Sequence, residues 1–134
     1  MSRGTQHWVE SSFFAIEPGE DAATNPGRYG RAMALWLAEK IRERGQVVEE
    51  VFGEDWGWCI LLAKHPYRLW IGCGNRFDSE SEWGAFVEAE PSALQRMRLS
   101  KEIRSSVERL SQMLKDILQH VPGATKTWTE EAPI

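Results

Sequence analysis

The sequence lacks most of the features that identify an enzyme or a metalloprotein. It has only two cysteines in 134 residues, with no CxxC spacing, and only three histidines, which lie far apart. Metal sites and redox pairs need such residues at short, regular spacing, so we expect no metal site and no cofactor. Two isolated cysteines also indicate reduced thiols in a cytoplasmic protein rather than a disulfide framework.

Long apolar runs and an excess of positive charge are absent as well. No apolar run approaches the roughly 18–20 residues of a membrane-spanning helix, and the first ten residues contain no hydrophobic segment typical of a secretion signal. The net charge is −4, which disfavours binding to a phosphate backbone. We therefore predict a cytoplasmic protein that binds neither membranes nor nucleic acids.

Tryptophan, by contrast, is abundant. The chain has seven tryptophans, and 42% of its residues are hydrophobic, which is enough to form a core at this length. We expect one domain over residues 1–134. Within it, residues 121–134 either pack loosely as a C-terminal tail or add a short edge strand.

Hydrophobic periodicity predicts the element order strand, helix, four strands, helix. The pattern of period two, bounded by Gly and Pro, predicts strands at His7–Glu17, Gln46–Phe52, Trp56–Ala63, Arg68–Gly74 and Trp83–Glu90. Helical spacing predicts one helix between an Asn25-Pro26 cap and Gly45, and a longer one over Ser100–His120, with Leu110 and Leu114 in the core. This is an α+β fold with a mostly antiparallel sheet of four to five strands. If the first two strands share that sheet, the helix between them makes them parallel.

The hairpin formed by the third and fourth strands is apolar on both faces. If its strands pair symmetrically about Pro66, Cys59 lies opposite Cys73 on an aliphatic face, and Trp58 and Trp70 share the other face. Extension of this pairing to the second strand places Glu50 opposite Trp58. A slip of one residue would exchange these faces.

Two helices, each about 10 Å across, roughly cover one face of a sheet whose strands are about 4.8 Å apart. We expect both helices to pack mainly on the aliphatic face, which leaves the tryptophan face to another chain or ligand. The alternative is one helix on each face, with the tryptophans in the core.

The leading functional hypothesis is a non-catalytic binding protein. Its surface would consist of the tryptophan face and the acidic loops beside it, with the binding residues Trp56, Trp58, Trp70, Glu50, Glu54 and Asp55. Residues 1–90 contain nine basic and fifteen acidic residues, a net charge of −6, which favours a basic protein partner. Immunity-type inhibitors of basic toxins offer a functional analogy for such a surface. A second copy of the chain, in a symmetric homodimer, is the other expected partner.

Two further functions remain open. One is a small enzyme or small-molecule binder with a pocket around Trp58, Trp70 and Glu50, where burial beside rings would raise the pKa of the carboxyl and suit it to acid–base catalysis. The other is a self-associating structural protein. A weaker candidate is an anion site at the start of the first helix, near Arg28 and Arg31.

Overall fold

The computed structural model describes residues 4–132 of the chain. It confirms an α+β fold with the predicted order of elements. Along the chain these are β1 (Gly4–Glu10), α1 (Arg31–Glu43), β2 (Glu50–Glu54), β3 (Gly57–Ala63), β4 (Arg68–Asn75), β5 (Glu82–Glu90), α2 (Ala93–Leu118) and β6 (Lys126–Ala132). A short 3-10 helix, Glu20–Ala23, precedes α1.

The six strands form one sheet in the order β2-β3-β4-β5-β1-β6, and every neighbouring pair is antiparallel. This alternation makes β1 and β2 run in the same direction, as predicted, although three strands separate them. The predicted count of four to five strands is too low by at least one, because the C-terminal segment pairs with β1 along its whole length and forms the edge strand β6.

Both helices pack on the same face of the sheet, which we call the inner face. This confirms the expected layering and excludes the alternative of one helix on each face. Leu37 and Ile41 from α1, and Leu110 and Leu114 from α2, have no exposed surface. They meet the inward-facing residues of the strands, which include Val9, Ile60, Ile71, Ala85 and Val87. No described helix lies on the opposite, outer face.

The predicted pairing of β3 with β4 is wrong by one residue over most of the hairpin. Next to the turn, Ala63 lies opposite Leu69, as predicted, but an irregularity between Leu61 and Ala63 shifts the register beyond it. Trp58 therefore pairs with Cys73. A β-bulge adds one residue to one strand, and because side chains alternate, one residue is enough to exchange the faces.

This slip separates the two pairs of residues that the sequence placed together. Trp58 and Cys73 lie on the inner face among the helices, while Cys59 and Trp70 lie on the outer face. The cysteines are thus not cross-strand neighbours, although both are reduced and buried, as expected. The predicted tryptophan face does not exist in that form.

The pairing of β2 with β3 also differs from the prediction. Glu50 lies opposite Leu61, not Trp58, and Phe52 lies opposite Cys59. The hairpin turn is a two-residue loop after Glu54, so Trp56 lies in the turn itself. The turn is shorter than predicted and lies closer to β3, so every residue of β2 pairs with a different residue of β3 than predicted.

The helix boundaries differ in informative ways. Helix α2 begins at Ala93, where Ser92 and Gln95 form a capping box, and Leu99 has non-helical angles (φ −116°, ψ 16°). The predicted helix from Ser100 is therefore preceded by an additional helical segment. Helix α1 begins at Arg31, later than the predicted Asn25 cap. The intervening loop is part of the candidate site.

Candidate functional site

Aromatic rings, rather than helices, cover the centre of the outer face. Two of them approach glycines of the neighbouring strands closely. A Cβ added to Gly72 would come 2.3 Å from the ring of Phe86, and one added to Gly84 would come 2.7 Å from the ring of Trp8. Glycine in a strand often marks such a close approach of another group to the backbone. The covering therefore depends on individual side chains.

Three of these rings, Trp56, Trp70 and Phe86, form what we call the aromatic cluster. Their centroids are 5.4 Å (Trp56–Trp70), 5.9 Å (Trp56–Phe86) and 5.8 Å (Trp70–Phe86) apart. Trp56 reaches the cluster because the β2–β3 turn folds it back over the sheet. The cluster shields Cys59 and Leu61, which are only 2% and 1% exposed.

Carboxylates border the aromatic cluster. Glu88 lies opposite Trp70 and is buried. Glu90 Oε1 accepts a 2.6 Å hydrogen bond from Trp70 Nε1 and lies 3.8 Å from Arg68 Nε. Strand β2 adds Glu50 and Glu54, both exposed on the same face. The flat apolar rings thus have an acidic rim on two sides.

A cleft of about 220 Å³ opens beside the aromatic cluster, and we call it the glycine cleft. Its floor is formed where Gly74 and Gly84 lie directly opposite each other on β4 and β5. The rings of Trp8, Trp56 and Phe86 line it. Its complete lining is Gln6, Trp8, Arg28, Trp56, Cys73, Gly74, Asn75, Gly84, Ala85 and Phe86, in which Arg28 is the single charged residue.

Asn75 holds the loop that brings Arg28 to this cleft. Its side chain is 1% exposed; Oδ1 accepts from the Tyr29 backbone N–H at 2.8 Å, and Nδ2 donates to the carbonyls of Gly27 (3.0 Å) and Ser79 (2.8 Å). Arg28 Nη1 in turn donates to the Asn75 carbonyl at 2.9 Å. A buried amide with all these partners fixes the loop against the end of β4, and the guanidinium with it.

The acidic segment before this loop stabilises it from the other side. Glu20 Oε2 accepts from the backbone N–H groups of Gly30 (3.2 Å) and Arg31 (3.3 Å), and Asp21 Oδ2 accepts from Gly27 at 3.0 Å. The start of α1 thus already has an anion from within the chain, where N–H groups and the helix dipole favour one. Of the two predicted anion-binding arginines, Arg28 lines the glycine cleft, whereas Arg31 is exposed on the first turn of α1.

The structure brings four of the six predicted binding residues to one region. Trp56 and Trp70 are in the aromatic cluster, and Glu50 and Glu54 lie beside it. Asp55 is in the adjoining turn, where its carbonyl accepts from Asn25 Nδ2 at 2.9 Å.

Trp58 does not belong to this region, because its ring lies on the inner face, in the core beneath the helices. Its Nε1 is buried without an acceptor among the described residues. The predicted pocket around Trp58, Trp70 and Glu50 is therefore not formed.

Phe86, Trp8 and Gly84 were missed by the sequence reasoning. The available signal was the occurrence of glycines inside the strands at Gly74 and Gly84, because strand glycines indicate that another group approaches the backbone. That signal does not identify the group. Phe86 lies on β5, which follows β4 in sequence and pairs with it, whereas Trp8 on β1 is far from both in sequence, and only the sheet order places β1 beside β5.

The β1–β6 end of the outer face is closed by internal contacts. Trp8 stacks with Trp128 at 6.2 Å, and the Arg76 guanidinium lies 4.2 Å from the Trp8 ring centroid. Glu130 Oε2 accepts from Trp128 Nε1 (2.8 Å) and Arg76 Nη2 (2.6 Å). The hydrogen bond from Trp128, together with that from Arg76, lowers the pKa of the Glu130 carboxyl.

On the inner face, the buried His7 and the partly exposed Ser111 form a pair, with 2.7 Å between Nε2 and Oγ. Burial lowers the pKa of His7, so its imidazole is neutral near pH 7. A serine nucleophile needs a base that a third group orients, but His7 Nδ1 has no hydrogen-bond partner among residues 4–132. We assign this pair a structural role.

The thiols do not form a reactive centre. Burial raises the pKa of Cys59 to about 12 and raises that of Cys73 as well, so both are protonated and poorly nucleophilic at neutral pH. Within the described part of the chain, no group of three or more His, Cys, Asp and Glu residues could hold a metal ion. Neither described helix has the length and apolar character needed to cross a membrane.

Comparison with known proteins adds no functional assignment. No protein-family model matches the chain, and no significant match was found among curated proteins or solved structures.

Proposed function

We propose that this protein is a non-catalytic, cytoplasmic binding protein whose outer face binds a basic partner protein. The observation that carries the proposal is the aromatic cluster with carboxylates around it. Ring faces attract cations through their quadrupole, and adjacent carboxylates pair with the same cation. An arginine side chain combines both interactions, because its planar guanidinium stacks on rings and forms forked hydrogen bonds with carboxylates.

The layout of this surface also fits protein recognition. A central patch of large aromatic side chains with a polar rim is the usual anatomy of an interface, and Trp is frequent among the residues that dominate binding energy. Trp56, which is partly exposed, would form the centre together with the remaining exposed surface of Trp70 (7%), and Glu50, Glu54 and Asp55 would form the rim. The net charge of −6 over residues 1–90 would add attraction at longer range.

A homodimer through the same face is a weaker proposal. Face-to-face packing of two copies would bring Glu50, Glu54 and Glu90 toward carboxylates of the other copy. Like charges at an interface cost free energy, whereas a basic partner would neutralise them. The charge of the face therefore favours a different, basic protein over a second copy.

A titration followed by nuclear magnetic resonance tests the proposal. The probe is a short peptide with one arginine, and the control peptide carries citrulline, its neutral near-isostere, at the same position. We expect the indole N–H signals of Trp56 and Trp70 to shift with the arginine peptide only. Because one cation–π contact contributes only about 0.5–2 kcal/mol, whereas a Kd of 1 mM corresponds to about 4 kcal/mol, the affinity of this minimal probe should be weaker than about millimolar.

Charge variants locate the interaction. Glu54→Gln should weaken binding of the arginine peptide by about 1.4- to 5-fold, since it removes one exposed rim charge worth about 0.2–1 kcal/mol. The matched control is Glu39→Gln, which makes the same change on the exposed side of α1. Equal shifts with the arginine and citrulline peptides would contradict the proposal. Sedimentation equilibrium that shows a dimer, lost in Trp70→Arg, would favour the homodimer instead.

A further inference from the structure

We propose that the glycine cleft is a binding site for a small planar aromatic carboxylate. This site adjoins the aromatic cluster, with which it shares Trp56 and Phe86, but it has the opposite charge preference from the surface proposed to bind a basic protein. The inference rests on three features of the cleft: an uncovered glycine, the rings around it and the fixed guanidinium of Arg28.

Gly74 differs from the glycines next to it. Gly72, two residues before it on β4, is covered by Phe86, and Gly84, opposite it on β5, is covered by Trp8. A Cβ added to Gly74 would have no side chain of the described residues within 4 Å. Its near neighbours would be the Tyr29 carbonyl oxygen at 3.2 Å and Gly57 Cα at 3.7 Å. At Gly72 and Gly84 an aromatic ring of the protein covers the glycine backbone. At Gly74 no ring does so, and a ring of a ligand could take that place.

The walls of the cleft select the shape of the occupant. Trp8, Phe86 and Trp56 line it, so a flat ring placed on Gly74 can make stacked or edge-to-face contacts with them. The volume of about 220 Å³ is below the roughly 300–1,000 Å³ of pockets for drug-sized ligands. This size fits one aromatic ring or two fused rings.

Arg28 selects the charge of the occupant. It is the single charged side chain in the lining, and Asn75 holds its loop in place. A guanidinium matches the two oxygens of a carboxylate with two parallel hydrogen bonds. One such group balances the single charge of a carboxylate, whereas a phosphate monoester carries about −1.5 to −2 charges and three acceptor oxygens. We therefore assign a carboxylate to the site.

Calorimetric titration with three small probes tests shape and charge separately. 1-Naphthoate has a flat fused ring and a carboxylate, 1-naphthamide has the ring without the charge, and cyclohexanecarboxylate has the charge without the flat ring. We expect 1-naphthoate to bind with a Kd of about 10 µM to 1 mM and at least about tenfold more tightly than either control. In the nuclear magnetic resonance spectrum, the Trp8 and Trp56 indole signals should shift, and that of Trp36 should not.

Three variants test whether the carboxylate contacts Arg28 and whether the ring lies on Gly74. Arg28→Gln should weaken 1-naphthoate about tenfold and leave 1-naphthamide unchanged. Arg42→Gln, the same charge change at an exposed position of α1, should alter neither. Gly74→Ala fills the platform and should reduce binding of both naphthyl probes, with circular dichroism to confirm the fold. If it does not fold, the indole shifts of the wild type still locate the ring.

Several results would overturn the inference. Equal affinity for the naphthoate and the amide, or an Arg28→Gln variant that binds like the wild type, would remove the anion contact. An equal loss in Arg31→Gln would move the anion to the start of α1. Tighter binding of phenyl phosphate than of 1-naphthoate would overturn the carboxylate assignment. Absence of saturation at about 10 mM 1-naphthoate would remove the site altogether.

Discussion

The two faces of the sheet are buried by different means. On the inner face, aliphatic side chains pack beneath two helices, and residues such as Ile60 and Ile71 have no exposed surface. On the outer face, Leu61 is nearly as well buried, at 1%, but beneath aromatic rings that belong to a turn and to neighbouring strands. Whole elements close the inner face, whereas single side chains close the outer one.

This difference suggests that the two faces contribute differently to the stability of the fold and to ligand binding. A helix buries a continuous stripe and leaves little room between its side chains. Where aromatic rings cover strand glycines one by one, the absence of a single ring leaves a cleft on the sheet surface, as at Gly74. Each strand glycine also costs roughly 0.5–1 kcal/mol relative to alanine, so such a surface is a poor way to gain stability. We therefore expect the inner face to determine folding and the outer face to determine binding.

The largest effect should come from placing the same charge on each face. Trp58→Arg buries a guanidinium beneath the helices, where an unpaired charge costs several kcal/mol, a large part of the roughly 5–15 kcal/mol that stabilises a domain. Trp70→Arg places it beside Glu88 and Glu90 on the outer face. We expect the first variant to be unfolded and the second to be folded, as measured by circular dichroism and urea denaturation. A folded Trp58→Arg variant with an unfolded Trp70→Arg variant would reverse our assignment of the faces.

The next effect concerns the helix that closes the inner face. Leu114 has no exposed surface, so Leu114→Ala should lower the free energy of unfolding by about 2–5 kcal/mol. Leu94→Ala, in the same helix but 56% exposed, is the matched control and should change it by less than about 0.5 kcal/mol. Urea denaturation measures both. Similar values for the two variants would mean that α2 does not bury its predicted stripe.

A smaller effect should follow from adding one methyl group beneath the aromatic cluster. Gly72→Ala places a Cβ 2.3 Å from Phe86 Cζ, and the ring is held between Trp56 and Trp70. Overpacking of this kind costs about 1–3 kcal/mol. In a Phe86→Ala background the clash is gone, so the same change should be neutral or slightly stabilising. A double-mutant cycle from denaturant curves would reveal this coupling, and additive effects would contradict ring-on-glycine packing.

The smallest effect compares one thiol on each face. Both should react slowly with a bulky disulfide reagent, and the rate should still rise above about pH 9, where an ordinary thiol of pKa near 8.5 is already largely ionised. Cys59 should react before Cys73, because movement of a few rings exposes it without displacement of a helix. The variants Cys59→Ser and Cys73→Ser identify each signal. Faster reaction of Cys73 would show that the inner face opens more readily.

Sequence periodicity was sufficient for the order of the first five strands and the two helices. The 3–4 spacing around Leu110 and Leu114 predicted a long helix with a buried stripe, and alternation within β3 and β4 correctly separated the two faces of each strand. The apolar character of both faces also predicted that the helices would leave one of them uncovered. These properties depend on neighbours along the chain, so the chain alone determines them.

How those strands fit together was decided only by the tertiary structure. Because of the irregularity between Leu61 and Ala63, Trp58 lies beneath the helices and Trp70 lies on the outer face. No residue pattern in β3 predicts this irregularity. The glycine cleft needs β1, β4 and β5 side by side and the Arg28 loop held by Asn75, so its parts come from segments tens of residues apart. Side chains alternate with period two along a strand, and a shift of the whole strand against its neighbour does not change this alternation. The sequence alone therefore determines which residues share a face within one strand. Only packing against other strands and helices fixes which of those faces meet.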